Sequence, residues 1–569
     1  MVLEDAKRLD DILLEISKGN AVDERQLLPF LCFEEKEKRC EVNAKLAEAY
    51  AEAGNLEQAR TFIRRAWVLS RFSADLMPLY TEICSSLGDI PSIRDVYKRL
   101  GLKRAAEGDI SGAIHYFDLW QYAYATFTSV DRYDYDFDIL GSIDRLAEPY
   151  RLPLRKGTSS QTGRRTRLAY LVKGVAETGS VLLKINLLFA KFHDQSQFEL
   201  TFFTPEPKKT ILRSAMGKEN IKFFEQHNCN VIWAPDLKNV QDTVLAVARR
   251  IYEAKPDLLI TSAALADFKH CFLTSLRPAP ITVGFIQGPP SQFAPLSLDW
   301  GIAWVRHPLM DCPVGCSLID LEEELPRRED VVSYERHELN LPEQSLLLLS
   351  GGRHVKFQDP EFWKAIFEVL GKHPHTFYLA VGVQEDQLPF LPPMVPQDVK
   401  GRIRFFDWRK EGDYLKILCL ADILIDTFPS GGGAILFDAM ALGIPVVSFK
   451  NNYMKRFDQT DWSVAEEILG IPIPEMIVPR GDFGRFKAVV SRLIEDKNYR
   501  QDVGEHCRNE AHEKRGNPRR MVQKCEEVYL KLTEEKQRLD AAGGDASKTL
   551  QTGPGAIARR LLRVFSSRS

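Results

Sequence analysis

Residues 421–449 read ADILIDTFPSGGGAILFDAMALGIPVVSF, and this stretch decides the fold. ADILID is a short apolar run that suits a buried parallel strand. The glycines at 431–433 interrupt the chain, AILFDAM has helical spacing, and Gly443-Ile444-Pro445 ends that helix before a second apolar run, VVSF. The order strand, glycine turn, helix, strand predicts an α/β domain with a parallel sheet.

The glycine turn itself predicts an anion site. Ser430, Gly431, Gly432 and Gly433 stand where a strand ends and a helix begins. Backbone N–H groups and the positive end of the helix dipole can face an anion there, and no Cβ blocks its approach. Asp438 lies one to two turns into the helix, within reach of a ribose hydroxyl. A tight turn that binds nothing is the alternative, although three consecutive glycines lose much backbone entropy on folding.

The length and charge of the chain set outer limits on its class. A chain of 569 residues is too long to fold around one hydrophobic core, and its length predicts three or four domains. The 76 basic and 79 acidic residues give a net charge of −3, so charge gives no indication of a nucleic-acid partner. Ten cysteines are few for this length and suit a reducing compartment. Because the chain starts with the charged run MVLEDAKRLDD and has no membrane-spanning apolar run, we expect a cytoplasmic protein.

Residues 1–150 have the pattern of a helical domain. A turn with Gly followed by Asn or Asp recurs at Gly54-Asn55, Gly88-Asp89 and Gly108-Asp109, and the first two turns are 34 residues apart. This period resembles tetratricopeptide repeats, which stack into a curved array. The array could bind a partner peptide, act as a spacer or form an oligomer contact, and the sequence does not choose among these.

The rest of the chain divides into a linker, two α/β halves and a tail. Residues 151–166 are basic and turn-rich and predict a linker. In residues 167–335 the strand candidates are RLAYLV, ELTFFT, NVIWA, PDLLIT and ITVGFI, and in residues 336–535 they are LLLLS, TFYLAVG, IRFFD, DILIDT and PVVSF. Two such halves leave a cleft between them, and ligands of parallel sheets bind beyond the carboxyl ends of the strands.

Residues 536–569 predict a flexible basic tail. Its last thirteen residues combine four arginines with apolar side chains, IARRLLRVFSSRS. Such a segment could make weak contact with the inner face of a membrane. The alternative, a frayed tail or a docking helix, is favoured over the membrane contact.

Several motifs resemble one family of glycosyltransferases with the GT-B fold. LRPAPI at 276–281, followed by GPP and LDW, resembles a segment of the O-GlcNAc-transferase-like group, which includes bacterial protein N-glucosyltransferases. GRHVKFQDP at 352–360 resembles the segment with the family's diphosphate-binding lysine, which falls on Lys356. The 420–445 block resembles the donor-site signature, whose ribose-binding aspartate falls on Asp438. The resemblance covers about residues 167–530.

This resemblance implies a helical repeat domain followed by two Rossmann-like domains that face a cleft. It further implies an inverting transfer from a UDP-sugar to a protein or peptide, with no other cofactor. The chain lacks a D-x-D metal motif near the cleft, so we expect no metal ion. It departs from the family at Glu177-Thr178-Gly179-Ser180, which replaces a loop histidine, and at Gly433-Ala434-Ile435, which replaces His-Thr-Thr. The identity of the sugar is therefore not determined. A glycan or lipid-linked acceptor remains an alternative to a protein acceptor, and a non-catalytic nucleotide-binding scaffold remains an alternative to an enzyme.

The candidate site residues follow from the chemistry of the transfer. Lys356 supplies a cation for the departing diphosphate. Glu177 and His354 are candidates for the base that accepts the proton of the acceptor, and either could be structural instead. Trp408 after the strand IRFF could cover the nucleobase or could equally belong to the core. The candidate residues for binding the donor are Ser430, Gly431, Gly432, Gly433, Asp438, Trp408, Arg409 and Lys416.

Overall fold

The computed structural model describes residues 3–87, 89–126, 136–153, 164–176, 181–261, 267–286, 297–303, 316–406, 414–429, 431, 433–450 and 470–541. These residues form two compact units, and the boundary between the units falls close to Ala147. The first unit is helical and the second contains both parallel sheets.

The helical unit is a series of helices that pack on their neighbours in sequence. Its helices are α1 (Leu3–Ser17), α2 (Glu24–Leu31), α3 (Lys36–Glu52), α4 (Leu56–Leu69), α5 (Met77–Ser86), α6 (Ile90–Ala106), α7 (Ile110–Thr126) and α8 (Phe137–Ala147). α3 packs along α4 and α6 packs along α7. Leu46 on α3 and Ile63 on α4 are fully buried in the core that these helices share.

Two of the predicted glycine turns, at Gly54 and Gly108, join helices as the sequence predicts, and Gly88 of the third turn lies outside the described residues. Gly54 has a φ of 76° and Gly108 has a φ of 77°, a left-handed conformation that favours glycine at the end of a helix. Asn55 then accepts a hydrogen bond of 3.3 Å from a backbone N–H in the first turn of α4, and Asp109 accepts one of 2.9 Å in the first turn of α7. Each turn therefore ends one helix and caps the next. The assignment to tetratricopeptide repeats stays a prediction.

The first sheet contains seven parallel strands in the order β3-β2-β1-β4-β5-β6-β7. The strands are β1 (Thr166–Leu171), β2 (Phe198–Pro207), β3 (Asn230–Ala234), β4 (Leu258–Thr261), β5 (Ile281–Ile286), β6 (Trp300–Ala303) and β7 (Cys316–Leu318). The helices between them are α9 (Val181–Phe192), α10 (Lys208–Ile211), α11 (Ala215–Gln226), α12 (Val240–Ala254) and α13 (Phe268–Ser275). The strand order reverses between β1 and β4.

The second sheet contains six parallel strands in the order β10-β9-β8-β11-β12-β13. The strands are β8 (Leu346–Gly351), β9 (Thr376–Val381), β10 (Ile403–Phe406), β11 (Ile423–Ile425), β12 (Val446–Phe449) and β13 (Ile477–Val478). The helices of this half are α14 (Pro360–Lys372), α15 (Tyr414–Leu418), α16 (Ala434–Ala441), α17 (Phe483–Glu495) and α18 (Lys497–Arg515). Here the order reverses between β8 and β11.

All ten strands predicted from the sequence are present, and the prediction missed β6, β7 and β13. These three strands have four, three and two residues. β11 also has three residues and is predicted, so strand length does not account for the difference.

A long C-terminal helix, α19 (Pro518–Ala541), returns to the first half and packs on α9. A buried polar network joins α19 to the first half there. The imidazole of His193 lies 2.8 Å from the Glu526 carboxylate and 2.6 Å from the Tyr170 hydroxyl, which in turn donates to Tyr529 at 3.5 Å. Burial lowers the pKa of His193, and Glu526 partly opposes this shift. The helix α19 therefore belongs to the architecture of the first half.

Among the described residues, no helix has both the length and the apolarity needed to cross a membrane. The basic segment at 557–569, the candidate for a membrane-surface contact, lies outside the described residues.

Candidate active site

The segments after β8 and β11 meet where the strand order of the second sheet reverses. At such a point the helices leave to opposite sides of the sheet and open a crevice for a ligand. Gly351 ends β8, and a Cβ there would collide with the side chain of Ile435 in the first turn of α16. A Cβ on Gly352 would lie 3.0 Å from the side chain of Lys356. The two glycines therefore let the end of β8 lie close to both the helix and the lysine.

Lys356 is directed at the glycine turn. It lies in a short 3₁₀ helix, His354–Phe357, and is partly buried. Its ammonium donates a hydrogen bond of 2.5 Å to the backbone carbonyl of Gly431. Burial lowers the pKa of Lys356 to about 8; the Asp426 carboxylate opposes this shift and the Arg353 guanidinium adds to it. The lysine is thus a partly desolvated cation next to the turn that the sequence predicts as an anion site.

Asp426 fixes the chain that leads into this turn. It is buried at the end of β11 and accepts a hydrogen bond of 2.9 Å from the backbone N–H of Thr427. Its second oxygen accepts a hydrogen bond of 2.6 Å from the Ser448 hydroxyl on the neighbouring strand β12. Both carboxylate oxygens are therefore used to position the backbone, and the charge of Asp426 also favours the protonated form of Lys356.

α16 begins directly after the glycine turn, with Gly433 as its N-cap. Gly433 has no side chain to cap the helix, and the space where its Cβ would lie contains no atom within 4 Å. The partial positive charge of the helix end is therefore not covered by a capping side chain. Ser430 and Gly432 lie outside the described residues, so the turn is described only at Gly431 and Gly433.

Asp438, the residue that the resemblance assigns to the ribose, lies deep in the junction of the two halves. It is 1% exposed and accepts a hydrogen bond from the Tyr414 hydroxyl on α15. Its other oxygen lies 3.9 Å from the ammonium of Lys184 on α9, which belongs to the first half. Burial raises the pKa of Asp438, whereas Lys184 and Tyr414 lower it. A ribose would therefore meet a carboxylate that already has two protein partners.

The other predicted residues fall into two groups. His354 is partly buried in the same 3₁₀ helix as Lys356. Lys416 is on α15, where its ammonium lies 5.8 Å from the centre of the Tyr334 ring. The residues outside the described ranges are Glu177, Trp408 and Arg409.

Two buried groups of the first half have structural partners. Asp299 accepts hydrogen bonds of 3.1 and 3.2 Å from Arg277 and one of 2.8 Å from the Thr282 N–H, so it holds the LRPAPI segment to the start of β5. Lys173, just after β1, lies 3.0 Å from the carboxylate of Asp267. Among the described residues, no group of three or more His, Cys, Asp or Glu side chains is arranged to hold a metal ion.

Sequence reasoning missed Lys184, Glu323 and Tyr414. Glu323 forms an ion pair with Lys184, and Tyr414 donates to Asp438. The acidic run LEEEL at 321–325 marks only a boundary in the sequence, although three consecutive acidic residues could have indicated a cluster of cations around them.

Comparison with solved structures agrees with this architecture. An O-GlcNAc transferase of Thermobaculum terrenum, solved as a lysine-to-methionine mutant, superposes with a TM-score of 0.55 at 14% identity, over 95% of this chain and 99% of that one. The protein has the GT-B fold. No protein-family model matches the sequence, and no curated protein is similar to it.

Two further neighbours have lower scores. The MnaA protein of S. aureus, in complex with UDP, gives a TM-score of 0.42 at 10% identity over 65% of this chain and 97% of that one. A UDP-glucosyltransferase of Polygonum tinctorium gives 0.41 at 11% identity over 65% of this chain and 100% of that one. Because these scores are low, the fold assignment rests on the first neighbour and on the order of the strands.

Proposed function

We propose that the protein is an inverting, metal-independent glycosyltransferase that moves a sugar from a UDP-sugar to a protein or peptide acceptor. The observation that supports it most is the ammonium of Lys356, 2.5 Å from the carbonyl of Gly431 at the reversal point of the second sheet. A diphosphate bound at the glycine turn would meet this cation and the uncapped N-terminus of α16. The fold shared with the Thermobaculum transferase agrees with this chemistry.

The transfer is a single displacement at the anomeric carbon. The acceptor atom forms a bond to this carbon while the bond to the β-phosphate oxygen breaks, and UDP leaves with the electron pair. Lys356 and the backbone N–H groups of α16 stabilise the negative charge that develops on the diphosphate. A base accepts the proton of the acceptor. His354, in the same turn as Lys356, and Glu177, outside the described residues, are the two candidates.

A nucleotide-binding scaffold without turnover is the second candidate. The sequence supports it, because Glu177-Thr178-Gly179-Ser180 stands where the family that the chain resembles has a loop histidine. Both candidates bind UDP, and only the first releases UDP from a UDP-sugar.

Release of UDP from UDP-glucose and UDP-N-acetylglucosamine, with and without a peptide library, tests the proposal. We expect turnover with one of these donors and a loss of about 100- to 1000-fold in Lys356→Met. This variant should fold, because burial already disfavours the ammonium that it removes. The control is Lys364→Met, an exposed lysine on α14 that forms an ion pair with the exposed Glu361. Near-normal turnover in Lys356→Met would exclude this lysine from the mechanism, and UDP binding without any release would favour the scaffold.

A further inference from the structure

Four buried or half-buried polar residues converge where the two α/β halves meet. Lys184 comes from α9, Glu323 from the segment between the halves, Tyr414 from α15 and Asp438 from α16. Lys184 forms an ion pair with Glu323 and lies 3.9 Å from Asp438, which accepts the hydrogen bond of Tyr414. We call these residues the junction cluster. They link side chains that are far apart in sequence and belong to both halves.

Lys184 is held in the junction cluster by a rigid acidic segment. Glu322 accepts two hydrogen bonds of 2.7 Å from Arg520 of α19. Glu324 pairs at 2.5 Å with Lys191, two turns further along α9. Each of three consecutive glutamates thus has its own cation, and the segment is fixed to α9 and to α19. Glu323, between them, has little freedom, and its ion pair fixes the ammonium of Lys184.

The charges of the junction cluster do not balance. Two carboxylates, Glu323 at 2% and Asp438 at 1% exposure, share the single ammonium of Lys184. The distance of 3.9 Å from Lys184 to Asp438 is too long for a hydrogen bond. Among the residues that the structure describes, no donor forms a hydrogen bond of good geometry with the oxygens of Glu323, although the carboxylate is ion-paired. Buried carboxylates with unused acceptor capacity are costly, so the cluster favours a ligand with hydrogen-bond donors.

A ribose satisfies this requirement, since its vicinal 2′- and 3′-hydroxyls are two adjacent donors. The side chain of Lys184 is 34% exposed, whereas the carboxylates of the junction cluster are buried. A ligand could therefore approach the cluster from the side of Lys184. Because the ammonium of Lys184 is ion-paired with Glu323 and lies 3.9 Å from Asp438, the Asp438 oxygen nearest to it has room to accept a hydrogen bond from a ligand.

We propose that Lys184 is a positioning residue for the nucleotide: with Glu323 and Tyr414, it holds the Asp438 carboxylate of the opposite half in the orientation that accepts hydrogen bonds from the ribose hydroxyls. This inference rests on the proposed function, because it requires a nucleotide at the crevice. It makes nucleotide binding dependent on the first half, which contributes Lys184, as well as on the second half, which contributes Asp438.

Calorimetric titration of the full chain with UDP and with 2′,3′-dideoxy-UDP tests the inference. We expect the wild type to bind UDP about 10- to 100-fold more tightly than the dideoxy compound. Lys184→Met should weaken UDP binding about tenfold and dideoxy-UDP binding less than twofold, so the ratio of the two affinities falls. A purely structural role would weaken both ligands equally. Lys222→Met, an exposed lysine on α11, is the control and should keep the wild-type ratio.

Tyr414→Phe is the second variant, because it removes one hydroxyl and keeps the ring, and it should fold even if Lys184→Met does not. A lower ratio in Tyr414→Phe supports the cluster. An unchanged ratio in both variants overturns the inference, as does a wild type that binds UDP and dideoxy-UDP equally well. If the wild type binds no UDP at all, the proposed function falls together with this inference.

Discussion

The affinity of the protein for UDP should fall as the pH rises above 8, because Lys356 loses its charge there. The pKa of Lys356 is lowered to about 8, chiefly by burial. A diphosphate favours the charged form, so the ammonium stays protonated in the complex and binding at alkaline pH requires the uptake of one proton. Below the pKa the free lysine is already charged, and the affinity is constant. Above it, the affinity falls with each further pH unit by about tenfold.

The size of the effect follows from the charged fraction of the free lysine. This fraction is about nine-tenths at pH 7 and about one-tenth at pH 9 for a pKa of about 8. The dissociation constant of UDP should therefore increase about tenfold between these two pH values, which corresponds to about 1.4 kcal/mol. Isothermal titration calorimetry at constant ionic strength, in steps of half a pH unit, measures this change.

Lys356→Arg is the matched control. The guanidinium stays charged throughout this range, so the variant should bind UDP with a nearly constant affinity, even if its different shape makes that affinity lower. The uracil ring of UDP also loses a proton at alkaline pH, and this loss affects both proteins equally. A flat profile in the wild type would refute the reasoning, and so would an equal decrease in Lys356→Arg.

Two further predictions concern stability. Since the pKa of buried His193 lies below its ordinary value of 6.5, the unfolded chain binds more protons in acid, and the free energy of unfolding should fall below pH 6.5 by up to about 1.4 kcal/mol per pH unit. In urea unfolding, His193→Gln should remove this part of the pH dependence. If the variant lost as much stability in acid as the wild type, His193 would not be its cause. Gly504→Ala should cost about 1–3 kcal/mol, because its Cβ would collide with the backbone carbonyl of Gly443. Gly401→Ala, whose Cβ meets open space, should change urea unfolding little, and equal costs at the two glycines would contradict the packing argument.

The local pattern of the chain was enough to predict most of the second unit. Apolar runs such as LLLLS and TFYLAVG have one dominant solution, a buried parallel strand, and they became β8 and β9. The Gly-Asn and Gly-Asp turns of the first unit are equally local, since each needs only a left-handed glycine and a capping side chain. Lys356 near the glycine turn was also predictable, because the carboxyl ends of neighbouring parallel strands share one edge of a sheet.

The environment of Asp438 was not predictable in this way. Its partners, Lys184 and Tyr414, come from a different half and a different helix, and no spacing in the sequence relates them to Asp438. The return of α19 to the first half is a similar case, since the buried contact of Glu526 with His193 joins residues 333 positions apart in the sequence.

The sequence by itself determined the strands, the helical turns and the site of the glycine turn, because these depend on side chains a few residues apart. The tertiary structure alone decided which charges share the junction of the two halves and how deeply Asp438 is buried. The reason is physical: backbone preferences act locally, whereas burial and ion pairing depend on which distant surfaces come into contact when the halves close on each other.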